Sequence, residues 1–427
     1  MILLMMLENL SASVADLWRD YKEVPIVICG GASDNRLLGE ESRKRRKTLS
    51  TALTRRLLAP AILAAMLLAL VLPGLALAKQ DDHSDNGKGK VVGVMTRNLY
   101  LGADLGPVIA AENTEQVASA SGAVLRDVIA NNFPTRAKGL ADEIRRTKPD
   151  LVGLQEVAYW QTTPITPAGE AVTIDYLKLL LGELNKGPGP NRYEVVVVQN
   201  EFGTETPADA NNVPNDGPGG ELANAEVLGK LLMRDVILAR TGAGVHTWNA
   251  EGGNFKTLLE LEVGGQPVAV KRGWTATDAQ VRGSHPFHFV NTHLEAFHPL
   301  IRQAQAAELV APGGPATSDL PVVLVGDLNS DDDTVEGADR LAYQVLLGAG
   351  LVERSTDDPL SCCINSPLLE VGKGGSVSDF DHQVDHVMTN DPSGITLERS
   401  EVTGLLPVNG FWDSDHAGLY SALRFQG

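Results

Sequence analysis

The sequence predicts an α/β domain of two packed sheets covered by helices, and three observations carry that expectation. Short apolar runs rich in β-branched residues, at 91–94, 151–154 and 322–325, have the length and composition of strands buried on both faces. Helical spacing lies between them, as in Ala137, Leu140, Ala141 and Ile144 behind Pro134. Strands mixed with single helices, with no internal repeat and no second boundary after residue 91, describe one layered domain rather than two.

The chain has 427 residues, and its amino-terminal part reads differently from the rest. Residues 44–56 form a basic block, residues 57–77 an apolar run, and Ala76-Leu77-Ala78 closes that run before Lys79. A basic region, an apolar region and an Ala-x-Ala end describe an export signal. The run is also long enough to span a bilayer, so an uncleaved anchor over 57–77 is the alternative. Pro60, Pro73 and Gly74 favour cleavage, and residues 1–43 read as a long leader or a start placed too far upstream. The expected organisation is a leader at 1–43, a signal peptide at 44–78, a flexible linker at 79–90 and one secreted domain at 91–427.

Within the domain, residues 91–99 read as the first strand, with Asn98 near its end, and residues 104–147 as helical. Lys148-Pro149-Asp150 stops the helix, and residues 151–157 form a second buried strand with the carboxylate of Glu156 at its end. A helix over 176–185 leads through Gly187-Pro188-Gly189-Pro190 into a strand over 193–199. Residues 200–228, rich in Gly, Pro, Asn and Asp, read as a long surface loop, followed by strands at 231–239, 257–263 and 267–271. The strand over 287–294 carries His293 near its end. A helix over 299–309 leads to the run at 322–330, and another over 335–347 leaves it. Residues 382–388 alternate like a strand, and the last strand, 419–425, follows Ser414-Asp415-His416.

Charge narrows the function classes. The whole chain carries a net −18; without residues 1–78, 26 Lys/Arg stand against 47 Asp/Glu, a net of −21. A protein that holds nucleic acid by its backbone carries a basic stripe, so stable nucleic-acid binding is disfavoured while transient cleavage is not. Of the three cysteines, Cys29 lies in the leader, and Cys362 and Cys363 are adjacent. Consecutive α-carbons lie about 3.8 Å apart, below the disulfide range of roughly 4.4–6.8 Å, so a bridge between neighbours would be strained. Two thiols by themselves are too few for a structural zinc site.

The chemistry centres on Gly326-Asp327-Leu328-Asn329. Asp327 and Asn329 alternate to the same side at a strand's carboxyl end, where open α/β sheets hold ligands. A lone Gly-Asp-x-Asn is more simply a strand running into an Asx turn. Yet polar groups also sit at other strand ends: Asn98, Glu156, His293 and Asp385, with Asp415-His416 just before the last strand. Buried carboxylates need partners, and convergence of these groups would supply them. His288 and His386 read as structural histidines with hydrogen-bond partners in the core.

Thr96-Arg97-Asn98, Leu154-Gln155-Glu156, Asn291-Thr292-His293-Leu294, Gly326-Asp327-Leu328-Asn329, Val384-Asp385-His386 and Ser414-Asp415-His416, in this order, resemble the endonuclease/exonuclease/phosphatase superfamily. That group includes pancreatic-type deoxyribonuclease, abasic-site endonucleases, secreted sphingomyelinases and inositol-phosphate phosphatases. The resemblance covers residues 91–427 and implies a four-layer α/β sandwich, two packed mixed β-sheets flanked by helices, with a divalent-metal site at one rim. It implies Glu156 as the principal metal ligand, completed by Asn98 and Asp415. Oxygen ligands of that kind suit Mg²⁺, with Mn²⁺ as the second choice. Asp327 and Asn329 would position the attacking water or the phosphoryl oxygen, and His293 would stabilise phosphoryl charge. Asp385 would orient His416, which either activates water or donates to the phosphate.

The implied protein is an exported metal-dependent phosphodiesterase or phosphatase. Its partner would be a phosphate ester (lipid head group, nucleotide or nucleic acid), met by a monomer and, for a lipid, at a membrane surface. A secreted nuclease and a non-catalytic binding module on the same fold are the alternatives. Every matched polar position is occupied, which favours the enzyme. Tyr100 stands where abasic-site endonucleases carry an acid, and Gln383-Val384-Asp385-His386 stands in place of the inositol 5-phosphatases' Trp-Cys-Asp-Arg. Both departures count against those two activities.

Overall fold

The computed structural model describes residues 89–426 apart from 188, 190, 191, 332–338, 357–358 and 392–393. The expected leader, the signal or anchor and almost all of the linker lie outside the described residues. Among the described residues no helix is long and apolar enough to cross a membrane.

An eight-stranded sheet runs in the order Ile395–Thr403, Gly418–Phe425, Lys90–Asn98, Leu151–Gln155, Val227–Arg240, Tyr159–Pro164 and Thr173–Asp175, with Tyr193–Ala208 also paired to Val227–Arg240. A six-stranded sheet runs Val352–Glu353, Asp385–Thr389, Val322–Asp327, Phe287–His293, Gly273–Val281 and Val245–Asn254. Leu259–Val263 and Gln266–Val270 pair as a separate two-stranded sheet. Each large sheet mixes parallel and antiparallel pairs.

The apolar runs that define the strands also define the layers. Val92, Val94, Leu151 and Ile237 of the first sheet pack with Phe287, Phe289, Val323 and Val325 of the second, so the central core lies between the sheets. Helices Thr114–Ala130, Phe133–Thr147 and Tyr176–Leu184 cover the outer face of the first sheet through Val124, Val128, Leu140, Ile144 and Leu180. Helices Pro299–Val310 and Leu341–Gly348 cover the second through Ala306, Leu309 and Leu346. The fold is thus the expected four-layer sandwich.

The intersheet core is not wholly apolar. Gln155 Nε2 donates to Asn291 Oδ1 across the two sheets at 2.5 Å, and Asn291 Nδ2 donates to Leu154 O at 3.2 Å and Thr275 Oγ1 at 3.1 Å. Buried amides are tolerated because each finds a partner. A Cβ on Gly153 would lie 2.5 Å from Asn291 Oδ1, so glycine is what lets the sheets close here. Gly326 serves the same purpose within the second sheet, where a Cβ would lie 2.2 Å from Thr292 O.

Several strands depart from the sequence expectation. Residues 200–208 are not loop but the second half of the long strand Tyr193–Ala208, hydrogen-bonded to Val227–Arg240. Tyr159–Pro164, Val245–Asn254, Gly273–Val281 and Ile395–Thr403 carry no apolar run to announce them, and tertiary pairing, not propensity, makes them strands. The helix expected over 335–347 starts at Leu341 among the described residues.

One buried acid at the edge of this scaffold makes a stability prediction. Arg97 pairs with Glu143 at 2.9 Å, and Asp413 is buried against this pair. Burial and the Glu143 charge push the Asp413 carboxyl up to about 9. From roughly pH 4, the ordinary carboxyl range, to about 9, the folded chain therefore holds a proton that the unfolded chain has released. This group's contribution to stability falls as pH rises through that window. Asp413→Asn supplies a permanent donor to Glu143 and should raise Tm by several degrees at pH 8, with a smaller gain at pH 5. Thermal unfolding of both proteins at the two pH values checks this, and an equal difference at both would contradict it.

Candidate active site

Strand register assembles the polar ends. His293 lies opposite Asp327 in a parallel pair, and Asp327 lies opposite Asp385 in an antiparallel one, so three groups stand side by side on the second sheet. On the first sheet Asn98 lies opposite Gln155, which places Glu156 just past the strand. The antiparallel strand Gly418–Phe425 returns beside Lys90–Asn98 with Leu419 opposite Thr96, carrying Asp415 and His416 to the same rim. Ser414 Oγ donates to Asn98 O at 2.8 Å and Arg97 donates to His416 O at 2.5 Å, fixing this approach.

Asp327 is the hub. Asn98 Nδ2 donates to its Oδ2 at 2.9 Å, and the N–H of Asn329 donates to its Oδ1 at 2.9 Å. The second contact is the Asx turn of the simpler sequence reading, and it coexists with the site. His293 Nε2 lies 3.4 Å and His416 Nε2 3.7 Å from Asp327 Oδ2. Burial by itself would raise the Asp327 pKa, but His416, His293 and the two hydrogen bonds hold it below the usual carboxylate value.

His416 Nδ1 lies 2.8 Å from Asp385 Oδ2. The Asp385 N–H is held by Ser361 Oγ at 3.2 Å. Burial disfavours a charged imidazole, yet Asp385, Asp327 and Asp415 outweigh it and keep the His416 pKa well above its ordinary value. His293 goes the other way. Burial and the Arg272 guanidinium, 3.1 Å from its Nδ1, lower it to about 3, so His293 is neutral. The positive charge at that corner belongs to Arg272, which also faces Glu295 at 3.6 Å.

Glu156 adopts a left-handed φ of 52°, and its Oε2 accepts from the Leu101 N–H at 2.6 Å. Burial, with Asp415 nearby, pushes its carboxyl up to about 7, and burial likewise raises Asp415. Two half-buried carboxylates, Glu156 raised by burial and by Asp415, and Asp415 raised by burial and by Asp327, fit a divalent cation, whose charge would reverse both shifts. Asn98 is partly committed: its Oδ1 already accepts from the Tyr100 N–H at 2.9 Å. Asn329 Nδ2 donates to Leu294 O at 3.0 Å, which ties its side chain to the loop after His293. The expected residues thus share one rim.

Sequence reasoning missed the buried groups behind His293. Arg272, Glu201 and Asp235 converge there, with ligand atoms of Glu201, Asp235 and His293 within 4.8 Å of one another. Burial raises Glu201 to about 7, and burial with Glu201 beside it raises Asp235 well above its usual value. Arg272 falls just past the strand expected over 267–271 and Glu201 just inside the loop expected from residue 200, and neither read as part of a buried strand end; Lys271-Arg272 at a strand entry was the available signal. The two histidines read as structural are so: His386 contacts Glu353 at 2.8 Å and Ser330 O at 2.9 Å, and His288 contacts Asp278 at 2.7 Å and Pro315 O at 3.0 Å.

No functionally curated protein matches the sequence. An endonuclease/exonuclease/phosphatase family protein from Bacteroides thetaiotaomicron is similar at 14% identity and a TM-score of 0.46, covering 80% of this chain and 97% of that one. One from Beutenbergia cavernae is similar at 17% identity and 0.46, covering 79% and 72%. A mannosyl-6-phosphatase from Bacteroides thetaiotaomicron is similar at 15% identity and 0.43, covering 78% and 100%. The model of the Endonuclease/Exonuclease/phosphatase family matches residues 130–416, and the chain belongs to that family.

Proposed function

We propose that this protein is an exported, Mg²⁺-dependent hydrolase of phosphate esters. Family membership supports phosphoester hydrolysis, and the observation that carries the reading is the Asp385–His416–Asp327 arrangement beside the Glu156 and Asp415 carboxylates. Glu156 and Asp415 would hold the ion, with the remaining lone pair of Asn98 Oδ1 available to it. When bound, it would neutralise phosphoryl charge and lower the pKa of water.

The chain's own residues divide the rest. Asp327, kept ionised, accepts a hydrogen bond from the attacking water, and Asn98 and the Asn329 N–H hold that carboxylate in place. His416, kept charged by Asp385, donates from Nε2 to the phosphate. Neutral His293 can donate a hydrogen bond, and Arg272 supplies the fixed charge behind it. Donors placed where negative charge grows are the usual source of such rate enhancement.

Hydrolysis measured on bis-p-nitrophenyl phosphate, sphingomyelin, inositol phosphates, DNA and RNA tests the reading. Turnover of at least one ester is expected, and none on the whole panel would contradict it. The net charge of −18 argues against stable nucleic-acid binding. Export is proposed from the basic block, the apolar run and Ala76-Leu77-Ala78. Amino-terminal sequencing of secreted protein should begin at Lys79; recovery of intact 57–77 in membranes would replace the signal with an anchor.

A further inference from the structure

Cys362 and Cys363 are bridged, and they sit on the active-site histidine. Cys363 Sγ lies 3.7 Å from His416 Nε2, the same atom that faces Asp327 Oδ2 at 3.7 Å. Sulfur and nitrogen atoms of Cys362, Cys363 and His416 lie within 4.8 Å of one another. We propose that the dithiol form of this pair, with His416, is a binding site for a thiophilic divalent ion of the zinc class, distinct from the oxygen-ligand site at Glu156.

Three features build the site. The segment carrying the cysteines is a strap fastened on both sides. The N–H groups of Ser361 and Cys362 donate to His382 O at 2.8 and 3.1 Å, and Ser361 Oγ accepts from the Asp385 N–H at 3.2 Å. On the other side the Ile364 N–H donates to Asp415 O at 2.8 Å and the Ala417 N–H to Ser361 O at 2.7 Å. Opening the sulfur–sulfur bond lets the two sulfurs part, while the backbone strap keeps both cysteines over His416. Secondly, Asp385 engages Nδ1 at 2.8 Å, which presents Nε2 as the ligand atom. A histidine whose other ring nitrogen is fixed by a carboxylate is the arrangement metal sites favour. Thirdly, two sulfurs and one nitrogen form a three-ligand set that zinc accepts with water in the fourth position. Two thiols alone were too few; the fold adds His416 as the third donor.

The bridged pair cannot bind the ion, because neither sulfur is a thiolate. A phosphine reductant and one water convert the disulfide to two thiols and a phosphine oxide. Binding then releases both thiol protons and the proton on Nε2. With Nε2 occupied, His416 has no proton to give. Ion binding by the reduced chain should then cost about 10²-fold or more in hydrolysis, the scale of an acid–base residue. That loss rests on the proposed hydrolase function; the binding itself does not.

The test uses the full chain, stripped of metal, with excess Mg²⁺ present and a chromophoric chelator reporting free Zn²⁺. Phosphine-reduced protein should bind one more Zn²⁺ per chain than the bridged protein, and Co²⁺ in its place should give thiolate-to-cobalt charge-transfer absorption. Cys363→Ser should bind as the bridged protein does. Equal binding by reduced and bridged wild type would overturn the proposal, as would loss of the circular-dichroism spectrum on reduction alone. Zn²⁺ counts need no substrate, so a chain that hydrolyses nothing still decides the question. An active chain without the extra ion refutes this site and leaves the hydrolase reading standing.

Discussion

His416→Ala should lower kcat/KM by about 10²–10⁴-fold, the range of a positioned acid–base group. The imidazole is buried, gripped by Asp385 at 2.8 Å, and faces Asp327 at 3.7 Å, so its charge is committed to this rim rather than to solvent. Alanine removes the donor and also leaves Asp385 and Asp327 facing each other without a cation between them. Part of any loss could then be structural. His416→Gln, which keeps a donor and most of the volume, separates the two effects. It should restore the wild-type melting temperature more fully than the rate. Equal rates for Ala and wild type on any hydrolysed ester would remove His416 from the mechanism.

Glu156→Gln is the second large effect expected. Glutamine keeps the shape and the acceptor for the Leu101 N–H but loses the charge that would hold an ion beside Asp415. Changing partners behind a ligand typically costs about 10–100-fold in metal affinity, so replacing a direct ligand should cost at least that. The raised Glu156 pKa of about 7 adds a second signature. Metal must displace a proton below that pH, so the wild-type Mg²⁺ requirement should ease from pH 6 to pH 8. In the Gln variant that pH dependence should flatten. An unchanged Mg²⁺ titration in the variant would place the ion elsewhere.

How much of this was legible in the sequence depends on the kind of strand. Strands Lys90–Asn98, Leu151–Gln155, Phe287–His293 and Val322–Asp327 are buried almost throughout, so continuous apolar runs mark them and their ends mark the site. Val245–Asn254 is almost wholly exposed and rich in Gly and Asn, and nothing local distinguishes it from loop. Tyr193–Ala208 runs on through half-exposed polar residues because Val227–Arg240 pairs with its whole length, a long-range fact. Glu201 lies in that concealed half, and Arg272 lies at the entry of the equally concealed Gly273–Val281. Both were invisible for the same reason.

The charge states were also beyond sequence reading. Composition gives His293 and His416 the same imidazole, whereas Arg272 beside one and three carboxylates around the other drive them in opposite directions. That divergence assigns the neutral and the charged histidine, and it makes the central claim measurable.

The most direct measurement is the pH profile of kcat/KM for wild type and Asp385→Asn at saturating Mg²⁺. A histidine held charged by a carboxylate acts as donor below its raised pKa, so wild-type activity should fall as pH rises through that value, above the ordinary one near 6.5. Asp385→Asn removes the largest favourable charge, so the falling limb should move to lower pH, with a loss of rate. A limb that stays in place, or activity that rises with pH across the same range, would contradict the account.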